Sequence, residues 1–192
     1  MATALTTDYP AQFDVEYTEA RNRVTVLFRI ILAIPILILS TTVTAVVRNL
    51  SVGIALMLLF RGRYPRVWFD WYVYVNQFSN RVMAYVMLLV DEYPSTTDQQ
   101  RVTTTATLDE ASLSRWMPLV KWFLAIPHYI VLALLIMAVG VVLFLAWFIV
   151  LITGRFPRGM FNFVVGTMRW GWRVTAYVAL LSTDRYPPFS LK

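Results

Sequence analysis

The sequence predicts an all-α integral membrane protein. Two parallel tandem repeats are expected, each a transmembrane or re-entrant helical hairpin followed by an amphipathic interfacial helix. Three observations carry this reading. The chain of 192 residues is 58% hydrophobic and only 15% charged, where soluble domains carry about 25% charged residues. Two apolar runs, Val24–Phe60 and Met117–Thr153, are each near twice the roughly 20 residues that one spanning helix needs. And the sequence repeats itself at a fixed offset.

The offset is 92 residues. It carries "LAIP" at Leu32–Pro35 onto "LAIP" at Leu124–Pro127, Gly62 onto Gly154, and "RVMAY" at Arg81–Tyr85 onto "RVTAY" at Arg173–Tyr177. No gap is needed from Arg23 to Val90, and about a third of the aligned positions are identical, which identifies an internal repeat. Each copy closes on Asp, Tyr and Pro, in "DEYPS" from Asp91 and "DRYPP" from Asp184. "DYP" at Asp8–Pro10 is a weaker third echo.

Four segments follow from this: an extended N-terminal piece over 1–20, membrane repeats over 21–94 and 114–192, and a polar linker over 95–113. The N-terminus has no basic start and no early apolar core, so the first apolar run is expected to stay as an uncleaved membrane segment. "FDVEY" alternates, and "RVTTTATL" in the linker is rich in β-branched residues. The two pieces either pair as a small strand element or remain flexible.

Within each repeat the apolar run comes first. Its double length suggests a hairpin with its tip near Thr41–Asn49 or Ala133–Val141. Pro35 and Pro127 each remove one helical hydrogen bond and predict a kink. A basic knot follows, "GRYPR" at Gly62–Arg66 and "GRFPR" at Gly154–Arg158, with Gly for a tight exit and Pro as a breaker. The third part, Trp68–Leu89 or Met160–Leu181, is crowded with aromatics. Asp70, Gln77 and Arg81 share one helical face, as do Asn162, Arg169 and Arg173, which suits a helix in the headgroup layer.

The net charge is +6, with fifteen Arg and two Lys. Its clustering at the ends of apolar runs points to a membrane surface and away from nucleic acid. The positive-inside bias puts all basic clusters, and both termini, on the cytoplasmic side of the inner membrane. A hairpin satisfies that bias. Inverted repeats, as in secondary transporters, are the rival and put the second knot outside. Arg61, Arg63, Arg66, Arg155, Arg158, Arg169 and Arg173 are the candidate lipid-headgroup or topology-anchoring residues. Arg29 and Lys121 are expected to snorkel to the headgroups.

No catalytic or metal-binding residues are assigned, and no cofactor is expected. With no cysteine there is neither a disulfide framework nor a thiolate metal site. His128 is the only histidine, and a structural role bonded to a neighbour outweighs a proton relay. No P-loop or dinucleotide-binding glycine motif is present.

The stretches "LAIP", "TGRFPRGMFNF", "RWGWRVTAY" and "DRYPPFSL" resemble the bacterial membrane family known as domain of unknown function 4389. The resemblance runs from about Tyr9 to Leu191, with the second repeat closer, and it implies no reaction and no catalytic residues. The expected function is an accessory, scaffold or assembly subunit of a membrane complex. Its partners would be anionic lipids and a membrane protein or a second copy, with no nucleic acid. Lipid or amphiphile binding or transport is the alternative, and a lipid-modifying enzyme comes third.

Overall fold

A computed structural model describes residues 9–192. Asp8 of the first Asp-Tyr-Pro and the beginning of the N-terminal segment lie outside the described residues. The first apolar run forms one long helix rather than a hairpin. Asn22 caps a short helix α1 (Arg23–Leu27) through its side-chain oxygen, which accepts from the N–H groups of Val24 and Thr25. The chain turns at Phe28 and continues as α2 (Arg29–Arg61), 33 residues without interruption. The expected tip, Thr41–Asn49, lies inside it. Its polar residues do not break the helix, because Thr41 and Thr42 both donate to the Ile38 carbonyl at 2.9 Å.

The second repeat behaves alike. Helices α4 (Met117–Leu124) and α5 (Ile126–Thr153) replace the second hairpin, and Gly140 sits within α5. The break at Ala125 comes two residues before Pro127, whose missing N–H leaves the Phe123 carbonyl without a helical donor. In the first repeat Pro35 stays inside α2. Both α2 and α5 are long and apolar enough to cross a membrane.

At the knots, Gly62 (φ 61°) and Gly154 (φ 72°) adopt the left-handed conformation that ends a helix. Their N–H groups close onto the carbonyls of Leu58 and Val150 at 3.0 and 2.8 Å. After Pro65 and Pro157 the chain reverses into α3 (Arg66–Val86) and α6 (Arg158–Val178). Helix α3 returns along α2: Ser51 donates to the Tyr72 hydroxyl at 3.4 Å, Thr44 and Ser79 share a bond of 2.9 Å, and Ile36 packs with Phe78 and Val82. Helix α6 packs on α5 in the same way.

The repeats are antiparallel, which corrects the parallel arrangement. The start of the first repeat docks on the second knot. The Arg21 N–H donates to the Gly154 carbonyl at 2.9 Å, and the Phe156 N–H donates to Glu19 at 3.0 Å. The Trp147 indole donates to Val26 at 3.3 Å. The start of the second repeat lies at the first knot, where α4 packs on α2 and a Cβ added to Gly62 would meet Arg115. The two knots therefore sit at opposite ends of α2. The charge bias could not reveal this, because the ends are matched by long-range backbone bonds.

The fold is mostly helical, but not all-α. Strand β1 (Ala11–Val15) pairs antiparallel with β2 (Val102–Ala106), Ala11 opposite Ala106 and Val15 opposite Val102. Strand β1, ahead of the first repeat, packs on α6 of the second; β2 packs on α3. Each repeat thus covers the other. Three layers result: the ribbon, then α3 and α6, then α2 and α5. Helix α2 buries only a stripe, Arg29, Ala33, Ile36, Ser40, Val47, Ile54 and Leu58, and the matching stripe of α5 includes His128, Val139, Ala146 and Val150. Most of the remaining circumference of both helices is exposed and apolar.

Candidate functional site

Five of the seven candidate arginines, Arg61, Arg63, Arg66, Arg155 and Arg158, are exposed, in two groups at opposite ends of the molecule. The left-handed glycine and the following proline hold each group at a helix reversal. The first knot borders a recess shared with Tyr64, Glu110 and Arg115. The second opens onto a recess lined by Tyr17, Glu19, Thr153 and Phe156. There Arg155 pairs with Glu19 at 3.5 Å, and the Arg158 guanidinium lies 4.9 Å from the centroid of the Tyr17 ring.

Arg169 and Arg173 belong elsewhere. They do not form a solvated face in a headgroup layer, because α6 is covered by β1. Arg169 donates to the carbonyls of Phe13 (2.9 Å) and Leu191 (3.2 Å) and pairs with Asp14 at 2.7 Å. Arg173, fully buried, donates to the carbonyls of Ser190 and Lys192. Its counterpart Arg81 donates to Ser95 at 2.6 Å. The shared spacing of "RVMAY" and "RVTAY" thus reflects a single role, in which each arginine ties down the chain that follows its own helix. A buried carbonyl needs a donor, and an arginine fork serves two at once.

Two interior ion pairs were not legible as such. Arg29 and Lys121 are both buried, not extended to headgroups. Arg29 donates to the Val90 carbonyl at 2.9 Å, pairs with Asp91 at 2.5 Å, and lies 4.0 Å from the Tyr85 ring centroid. Lys121 donates to the Thr183 carbonyl at 2.7 Å, pairs with Asp184 at 2.8 Å, and faces Tyr177 at 5.1 Å. Burial lowers the Lys121 pKa from its ordinary value, and the bond to Asp184 pulls it back. The signal was present: cations 92 apart, tyrosines 92 apart, and an aspartate closing each repeat. Arg21 adds a third tie at the end of α3, donating to the carbonyls of Leu88 (3.0 Å) and Leu89 (2.6 Å).

His128 is buried on the inner stripe of α5. Its Nδ1 accepts from the Trp170 indole at 3.0 Å, which leaves the proton on Nε2. Phe189 stacks on the ring at 4.0 Å, and Tyr186 lies 4.8 Å away. The ring acts as a bonded core aromatic that fastens α5 to α6 and to the segment after it. Among the described residues no group of His, Asp or Glu is arranged to hold a metal.

A crevice of about 260 Å³ lies between α3, α5 and α6, with Asn76, Asn80, Met83, Val139, Thr167 and Met168 in its lining. Gly171 also lines it, and a Cβ added there would meet only open space.

Fold and site together define a class: a two-repeat helical protein with two long apolar helices, interlocked through a strand ribbon. Residues 23–97 and 115–190 each match the family described as Domain of unknown function (DUF4389), and the chain belongs to that family. No curated protein and no solved structure matches it.

Proposed function

We propose that this protein is a non-catalytic component embedded in the cytoplasmic membrane through α2 and α5, acting as an accessory, scaffold or assembly subunit. The observation that carries this is the exposed apolar circumference of the two long helices, each of which buries only a narrow stripe. Contiguous apolar patches beyond a few hundred Å² mark membrane or protein interaction sites. The five exposed arginines at the helix ends would meet lipid phosphates. Native mass spectrometry of the protein released from its own membrane in mild detergent tests the assignment. A stoichiometric protein subunit, or a second copy, supports it. A bare monomer speaks against it.

The crevice favours a second reading, the binding of a lipid or other amphiphile, since its lining combines methionines with two asparagine side chains. On this reading the arginine knots clamp phosphate bidentately, which lysine cannot do. Replacing Arg63, Arg66, Arg155 and Arg158 together by Lys keeps the charge and should still reduce bound anionic lipid. Equal lipid retention would remove this reading.

A further inference from the structure

The long helices are a poor fit to an upright crossing. At 1.5 Å per residue α2 is about 50 Å long, and fitting it to a 30 Å hydrocarbon core needs a tilt of about 50°, beyond the usual 0–40°. The ribbon fits an upright crossing still less well. One of its ends lies with the first knot: the Tyr9 hydroxyl bonds Arg185, the Asp109 N–H bonds Ser182, and Tyr64 beside the knot bonds Leu180. Its other end lies with the second knot, where the Tyr17 hydroxyl bonds Phe156 at 2.8 Å. The strands therefore run between the two ends, level with the middles of α3 and α6, where Asn80 bonds Thr104 and Trp172 bonds Thr105. If α2 and α5 stood upright, this ribbon would sit at hydrocarbon depth. Its outward face carries exposed Asp14, Glu16, Thr103 and Thr105, and among the described residues no third strand pairs with either edge. A charged side chain at that depth costs about 2.5 kcal/mol or more, and open sheet edges do not occur facing lipid.

We propose that the protein lies in a single leaflet, with α2 and α5 along the bilayer plane and the ribbon in water. This rests on the membrane-embedded reading above. The dimensions agree: one leaflet offers about 15 Å of hydrocarbon, and a helix with its side chains is 10–12 Å across. The layer order agrees too. The apolar helices face the hydrocarbon, and Trp71 and Tyr74, exposed on α3 between that layer and the ribbon, sit at headgroup depth, where such rings collect. The antiparallel repeats then share one orientation, because the axis relating them stands along the membrane normal. Both knots, with Arg23 and Arg115, fall on the same face, and the positive-inside bias is met without a hairpin.

The native chain has no cysteine, so single cysteines report cleanly. Arg66→Cys, Arg158→Cys and Thr103→Cys, all at exposed positions, would be treated with an impermeant maleimide in sealed vesicles of each orientation. All three should label from one and the same face and from that face only. Labelling of Arg66→Cys and Arg158→Cys from opposite faces overturns the in-plane arrangement and leaves the membrane reading standing. Recovery of the chain in the supernatant after alkaline carbonate extraction overturns the membrane reading itself.

Discussion

The Nζ of Lys121 lies 2.8 Å from a carboxylate oxygen of Asp184, and this pair repeats Arg29 and Asp91 of the first half. In both cases a cation at the start of a repeat is buried against the acid that ends it. The apolar start and the Asp-Tyr-Pro ending are thereby clamped together.

Breaking that clamp on one side should be costly. Asp184→Asn leaves a buried ammonium with the Thr183 carbonyl and should destabilise the protein by about 3 kcal/mol, while Lys121→Met with Asp184→Asn should recover most of it. Thermal unfolding in detergent reads the difference. The sign of the pH effect also follows. The folded Lys121 pKa lies below its ordinary 10.5, so between the two values the unfolded chain binds more protons and stability rises with pH. Without Asp184 the folded pKa drops further and the window widens. A single variant as stable as the double would contradict the clamp.

The segment after α6 should be sensitive at Gly166. A Cβ there would lie 2.7 Å from the Leu191 carbonyl oxygen. Gly166→Ala should push that segment off α6 and loosen the bonds that Arg169 and Arg173 make to it, at about 1–3 kcal/mol. Hydrogen exchange at Ser190 and Leu191 should accelerate. Unchanged exchange and melting would mean the segment is held elsewhere.

His128 offers a smaller test. His128→Leu leaves the Trp170 indole N–H buried without an acceptor and should cost about 1–3 kcal/mol, whereas His128→Gln can keep the bond and should cost less. Equal melting of the two variants would deny the bond any structural weight.

Much of this was legible in the sequence. The repeat, the glycine exits at Gly62 and Gly154, and the strand character of "FDVEY" and "RVTTTATL" all follow from local rules, and the strands pair. The hairpin did not survive, since run length alone cannot distinguish two short helices from one long one when no breaker separates them. Thr41 and Thr42 read as a tip but bond within their own helix. The direction of the second repeat was hidden for a different reason. It depends on contacts such as Arg21 with Gly154, which no periodicity encodes. Arg29 and Lys121 looked like snorkelling cations because their partners lie about sixty residues away.

The antiparallel arrangement can be measured as a distance. Spin labels at Arg66→Cys and Arg158→Cys should be about 40–50 Å apart, the length of a 33-residue helix at 1.5 Å per residue. A separation of about 25 Å or less would put both knots at one end and restore the parallel order.

In the proposed arrangement the outward faces of α2 and α5 meet lipid while the ribbon meets water. Spin-label accessibility in lipid vesicles tests it most directly, with labels at Ile38 on α2, Met137 on α5 and Thr103 on β2, all exposed. Labels at Ile38 and Met137 should collide readily with oxygen and be shielded from an aqueous nickel complex, and the label at Thr103 should show the reverse. Nickel reaching Ile38 and Met137 as freely as Thr103 would contradict the account.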